Sequence, residues 1–374
     1  MNCKTAFGYA FIHFSMEVLC FFFLYRVFGG SALWWSIAVI YDTVAFAGQV
    51  PVGAFCDRHP KFKPGTWGAA LLIVGAAIGL TALRCMAGDT QKADPGSGGL
   101  AFAAVIAGFV ILCIGNALLH ISGALVTLRV SQGRMSETGI FVGGGAFGVV
   151  TGRLLGSSSA PVWIPFVLMV AALALIILIG RSVFSGTTSS DTEKHPAQGF
   201  SCLHDTAADR PVEMIILILA GVIAVRSYIS NGIPMQWKKS VFETVMLYVA
   251  MGVGKMAGGV LADFFGARKI GVASCIVAVP LLLIGNNLMW VSLAGIMLFS
   301  MTMAIALGGI VSVLKDNPGV AFGITTLALF LGSLPIFFVP MPKDIIMNIL
   351  LAALSLLSAA GLGICLKDHV YERK

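Results

Sequence analysis

Four side chains in the first apolar run, Tyr9, His13, Glu17 and Cys20, fall at spacings of four, four and three, which puts them on one helical face. Counted from Thr5, Glu17 lies about 18 Å along that helix, at the middle of a hydrocarbon layer if the run crosses one. A carboxylate there is costly unless it meets a cation or lines a watery chamber, so Glu17 is a candidate for binding substrate or a coupling ion. Asp42 in the second run stands fifteen residues before Asp57, about 22 Å from that end and so nearly level with Glu17. Two carboxylates sharing a low-dielectric site can hold a proton between them, which favours proton over sodium coupling.

A second stripe, Asn116, His120, Gly123 and Thr127, lies in the fourth run, where His120 can relay protons or bind substrate. Arg226 in the seventh run, accompanied by Ser227, Ser230 and Asn231, is the best candidate for gripping an anionic group, because a guanidinium binds carboxylate or phosphate in a fork. Its alternative role is to pair with Glu17 or Asp42. Lys255, eight residues before Asp263, suits a snorkelling or latching cation more than a substrate contact. His13, Glu17, Cys20, Asp42 and His120 also supply the ligand types of a divalent transition-metal path, which stands as the alternative.

These residues need elements that hold them inside a membrane. Of 374 residues, 58% are hydrophobic and only 11% charged, far below the share of about 25% charged in soluble domains. That composition excludes an ordinary soluble enzyme, and long apolar runs exclude a membrane β-barrel in favour of helices. Twelve runs are long enough to span: 5–27, 33–56, 66–84, 100–128, 137–155, 161–181, 211–233, 241–262, 269–289, 290–314, 318–339 and 343–366. The weakest boundary is near 289, where Asn286, Asn287 and Trp290 are almost the only interruption. The polar stretch 182–210 reads as a cytoplasmic linker between two six-helix halves, 1–181 and 211–374. Fifteen Lys and Arg fall on the side of the termini against seven opposite, which places both termini in the cytoplasm, in the plasma membrane or bacterial inner membrane.

The halves echo each other. Gly48-Gln49-x3-Gly53-x3-Asp57 recurs 206 positions on as Gly254-Lys255-x3-Gly259-x3-Asp263, and Gly123–Leu128 before Arg129 echoes Gly309–Leu314 before Lys315. With the basic residues that follow, Arg58 and Arg268 among them, these loops resemble the hallmark Gly-x3-Asp loop of the major facilitator superfamily of transporters. The first copy has His59-Pro60 where a glycine turn is usual, and the second has Phe264 in place of an arginine. The resemblance implies an all-α fold of two pseudo-symmetric six-helix bundles. In that fold spans 1, 4, 7 and 10 line a cavity, spans 2, 5, 8 and 11 meet between the bundles, and the rest lie outside. It also implies that Gly53, Asp57, Arg58, Lys255, Gly259, Asp263 and Arg268 gate the inner face, with the Asp residues as latches.

The fifth span carries Gly139, Gly143, Gly144, Gly148, Gly152 and Gly156, a small-residue seam for close packing, and lacks the Gly-Pro pair of the drug antiporters. No phosphate-binding loop appears, so energy comes from a gradient. Nor does any nucleophile with its base stand out, no basic run suggests nucleic acid, and no cofactor is expected. The expectation is a monomeric symporter of a small polar, anionic metabolite, with Tyr9, His13, Glu17, Asn116, His120, Arg226, Ser230 and Asn231 binding substrate and Glu17 and Asp42 coupling protons. The other alternative is a membrane sensor of the same build that binds without translocating.

Overall fold

The computed structural model describes residues 3–86, 92–93, 99–131, 133–185, 210–339 and 345–367. Within them are twelve helices long and apolar enough to cross a membrane: α1 (Lys4–Val27), α2 (Trp34–Arg58), α3 (Pro64–Met86), α4 (Gly99–Ser131), α5 (Ser136–Ser157), α6 (Trp163–Gly180), α7 (Val212–Ser230), α8 (Val241–Phe265), α9 (Ala267–Asn287), α10 (Met289–Val313), α11 (Pro318–Phe338) and α12 (Ile345–Cys365). The protein is an integral membrane protein. Every span expected from the sequence has its helix, and the doubtful boundary falls at Leu288, after a 3-10 turn at Gly285–Asn287. Residues 186–209, most of the expected linker, lie outside the described residues.

Local chemistry marks the helix ends. Ser240 and Glu243 form a reciprocal capping box at the start of α8, and Pro318 occupies the first turn of α11, where its missing N–H is not needed. The turn from α8 to α9 is a single residue, Gly266, at φ 98°, a conformation that a Cβ would strain. Helix α2 is not regular: residues Thr43–Ala47 form a π turn between two α-helical segments, an irregularity that changes which side chains face inward.

Packing follows small residues. The seam on α5 faces α1: a Cβ on Gly144, Gly148, Gly152 or Gly156 would run into the α1 backbone at Ala10, Phe14, Val18 or Phe22 respectively. Close approach of these two helices is what seats Glu17 deep in the protein. The halves meet where α5 packs on α8 and α2 on α11. Helix α10 is the most enclosed, with 83% of its apolar window buried against 22% for α6, whose outer face is left for lipid.

Candidate functional site

The α1 and α4 stripes converge. Glu17 Oε1 lies 3.3 Å from His120 Nε2 and 3.7 Å from His13 Nε2, and the two imidazoles meet edge to face with centroids 4.6 Å apart. All three are buried, Glu17 at 2% exposure. His13 Nδ1 is hydrogen-bonded to the Phe141 carbonyl at 2.9 Å, and His120 Nδ1 to Asn116 Oδ1 at 2.9 Å. Asn116 Nδ2 donates to the Tyr41 hydroxyl at 3.1 Å and to Cys20 Sγ at 3.3 Å. Tyr41 in turn donates to Glu17 Oε2 at 3.5 Å. Tyr9, one turn before His13, lies beside the Ser122 side chain.

Three aromatic rings close this centre: Phe46 from the π turn of α2, Phe141 from α5 and Phe322 from α11. Phe322 comes from the second half of the chain, so the cluster lies where the halves meet. Tyr41, Phe141 and Phe322 were not singled out from sequence. Asp42, expected to share the site with Glu17, is close enough to feel its charge; the hydroxyl in hydrogen-bond contact with Glu17 belongs to its neighbour Tyr41.

The basic residues sit differently. Arg226 is 3% exposed, and its Nε and Nη2 have no hydrogen-bond acceptor among the described residues. Ser227 and Ser230 beside it are buried; the side chain of Asn231 lies outside the described residues. Lys255 does not hang at the inner end of α8. Its Nζ reaches the Val142 carbonyl at 3.4 Å, next to the carbonyl that holds His13, and it lies within coulombic range of both Arg226 and Glu17.

The two repeated loops make matching contacts across the halves. Asp57 accepts from the backbone N–H of Gly319 and Val320, both at 2.9 Å, at the start of α11. Asp263 accepts from Met135 at 2.8 Å and Ser136 at 2.9 Å, at the start of α5. Each carboxylate thus satisfies orphan N–H groups and the positive end of a helix dipole. Gly53 and Gly259 let the backbones touch: a Cβ on either would overlap the Gly319 or the Met135 carbonyl. Arg58 and Arg268 are exposed.

No family model matches the sequence, and no curated protein matches it. Solved structures do match over nearly the full length. The fucose:proton symporter FucP of E. coli aligns at 14% identity and TM-score 0.60, covering 96% of each chain; FucP in its outward conformation aligns at 13% and 0.59, covering 95% of this chain and 97% of that one. The human organic anion transporter MFSD10 (TETRAN) aligns at 15% and 0.53, covering 96% of this chain and 99% of its own. Twelve spans, two interlocking acidic loops and end-to-end superposition on these structures establish that the chain has the fold of the major facilitator superfamily transporters.

Proposed function

We propose that this protein is a secondary active transporter that carries a small anionic organic metabolite by alternating access, the halves 1–181 and 211–374 rocking about the α2/α11 and α5/α8 contacts. The observation that carries this reading is Arg226, a buried guanidinium whose Nε and Nη2 have no acceptor among the described residues. Leaving such a group unpaired costs several kcal/mol, which an arriving carboxylate or phosphate offsets. Lys255 supplies a second positive charge nearby. The end remote from the latches is also basic: Arg153 stacks on Tyr25, and burial, then the Arg153 charge, lower the proton affinity of Lys238. Such a mouth concentrates anions before they enter.

In this reading Glu17, held by Tyr41 and facing His120, carries the coupling proton, with Asp42 as a nearby second carboxylate. The protein acts as a monomer in a plasma or bacterial inner membrane with both termini cytoplasmic, consistent with the distribution of its Lys and Arg. One of the structurally similar proteins is a fucose:proton symporter and another an organic anion transporter, which supports solute movement with proton or anion chemistry.

The test is a thermal-shift screen of purified protein against organic acids, phosphorylated sugars, neutral sugars and amino acids, followed by counterflow of each labelled hit in proteoliposomes. Anions alone should stabilise the protein, and Arg226→Ala should abolish the shift. Stabilisation by neutral solutes that survives Arg226→Ala overturns the anion assignment. Binding without counterflow replaces transport by the sensor reading.

A further inference from the structure

We propose that His13 Nε2, Glu17 Oε1 and His120 Nε2 form a binding site for one divalent transition-metal ion of the Zn2+ or Co2+ class. This goes beyond the anion reading and does not depend on it.

The argument begins with the protons. The Phe141 carbonyl can only accept, so His13 Nδ1 carries its hydrogen and Nε2 presents a bare lone pair. On His120, Nδ1 faces Asn116 Oδ1 and the Asn116 carbonyl, again acceptors. The Asn116 backbone carbonyl, 3.2 Å away, can only accept, so it keeps the hydrogen on His120 Nδ1 whichever way the Asn116 amide is turned. Tyr41 spends its proton on Glu17 Oε2. Two imidazole lone pairs and a carboxylate oxygen are therefore aimed at one another in a buried space, an arrangement that repels unless something positive sits among them.

A proton on Glu17 answers only part of this. It bridges Oε1 to His120 at 3.3 Å and leaves His13 Nε2 facing the same oxygen across 3.7 Å. A metal ion satisfies all three donors together. Tetrahedral bonds of about 2.0–2.1 Å place neighbouring ligand atoms about 3.3–3.4 Å apart, and the three candidate atoms here all lie within 4.8 Å of one another, so a closure of at most about 1.5 Å at the widest pair seats the ion. The outer hydrogen bonds fit as well: ligating histidines usually donate their second N–H to a carbonyl or a side-chain acceptor, which fixes ring orientation. Two imidazoles and one carboxylate suit Zn2+ and Co2+ and do not suit Mg2+ or Ca2+. A fourth position stays open for water or for a donor atom of the solute. Cys20 is turned to Asn116 and Asp42 is not one of the grouped ligands, so the site is narrower than the five-residue path the sequence offered.

The experiment uses full-length, tag-free protein in detergent, stripped with chelator and titrated with Co2+ while visible ligand-field absorption is followed. One equivalent should give the intense bands of a four- or five-coordinate centre, and Zn2+ should displace it. His13→Ala, His120→Gln and Glu17→Gln should each remove the bands, whereas Cys20→Ala, Asp42→Asn and Arg226→Ala should keep them; the last also separates this site from the anion reading. X-ray absorption of the Zn2+ form of the unaltered protein guards against variants that fail to fold, and should show two imidazoles and no sulfur. No saturable Co2+ band, a band surviving His13→Ala with His120→Gln, or a sulfur ligand overturns the proposal.

Discussion

The two buried charged centres of this protein are built on opposite principles. The centre in the first half is crowded with partners: Glu17, Tyr41, Asn116 and His120 are joined by hydrogen bonds, and His13, held by a backbone carbonyl of α5, faces Glu17 at 3.7 Å. The centre in the second half is a guanidinium, Arg226, whose Nε and Nη2 touch no acceptor among the described residues. The hydrogen bonds of the first centre fix the orientation of its rings but leave their lone pairs facing a carboxylate oxygen, so it gains from a positive ion, while an unsatisfied cation gains from a negative one. The contrast assigns the first centre to a small cation and the second to the solute's negative group, and it can be broken experimentally.

The largest effect is expected at Arg226. Truncating one partner of a buried, hydrogen-bonded charge pair costs about 2–5 kcal/mol, so Arg226→Ala should lower solute affinity by roughly 30-fold or more at 1.4 kcal/mol per tenfold. Arg226→Lys keeps the charge, loses the fork and should recover only part of it. Equilibrium binding of the labelled solute to purified protein reads both. If Arg226→Ala binds as well as the unaltered protein, Arg226 is a structural cation and the comparison fails.

Glu17→Gln should separate the centres next. It keeps the volume and a partner for Tyr41 but cannot change charge, so gradient-driven uptake should fall to background while counterflow, which needs no net movement of a coupling ion, persists. Asn116→Ala is a gentler cut at the same network. It frees His120 to rotate and leaves Tyr41 and Cys20 without their shared donor, and losing such a buried partner costs about 1–3 kcal/mol. Lower thermal stability together with weakened coupling is expected, and an unchanged melting temperature would show that Asn116 does not hold the network.

Much of this was legible in the sequence because ionisable groups in apolar runs are conspicuous. The spacing of His13 and Glu17, and that of Asn116 and His120, placed them on two stripes that the fold joins. The repeat of Gly53–Asp57 as Gly259–Asp263 likewise announced two equivalent contacts. What failed to show was angle rather than depth. Rise per residue puts Asp42 level with Glu17, but a shift of one residue turns a helix by about 100°, and α2 enters a π turn directly after Asp42, so Tyr41 makes the contact. Phe141 and Phe322 were silent for another reason: among 25 phenylalanines, nothing in the local sequence marks the two that close a polar centre from α5 and α11.

Phe322 lies one turn beyond the amides that Asp57 holds, and Phe141 less than two turns beyond those that Asp263 holds, so each latch is tied to a ring on the cluster. The latches differ in their surroundings. Among the described residues the hydrogen-bond donors to Asp57 are Gly319 and Val320, whereas beside Asp263 the Ser136 hydroxyl donates to Glu137, which pairs with Arg134 at 2.6 Å. Glu137 also sets a like charge near Asp263. Removing the Asp263 charge therefore relieves a repulsion as it breaks the cap, and removing that of Asp57 relieves none. Asp57→Asn should open the latch end more than Asp263→Asn, by the part of a cap worth about 1 kcal/mol that the repulsion offsets. Distances between spin labels on the tips of α2 and α11, compared with those on α5 and α8, measure the difference. Equal opening in both variants would mean that Glu137 and Arg134 do not distinguish the two copies.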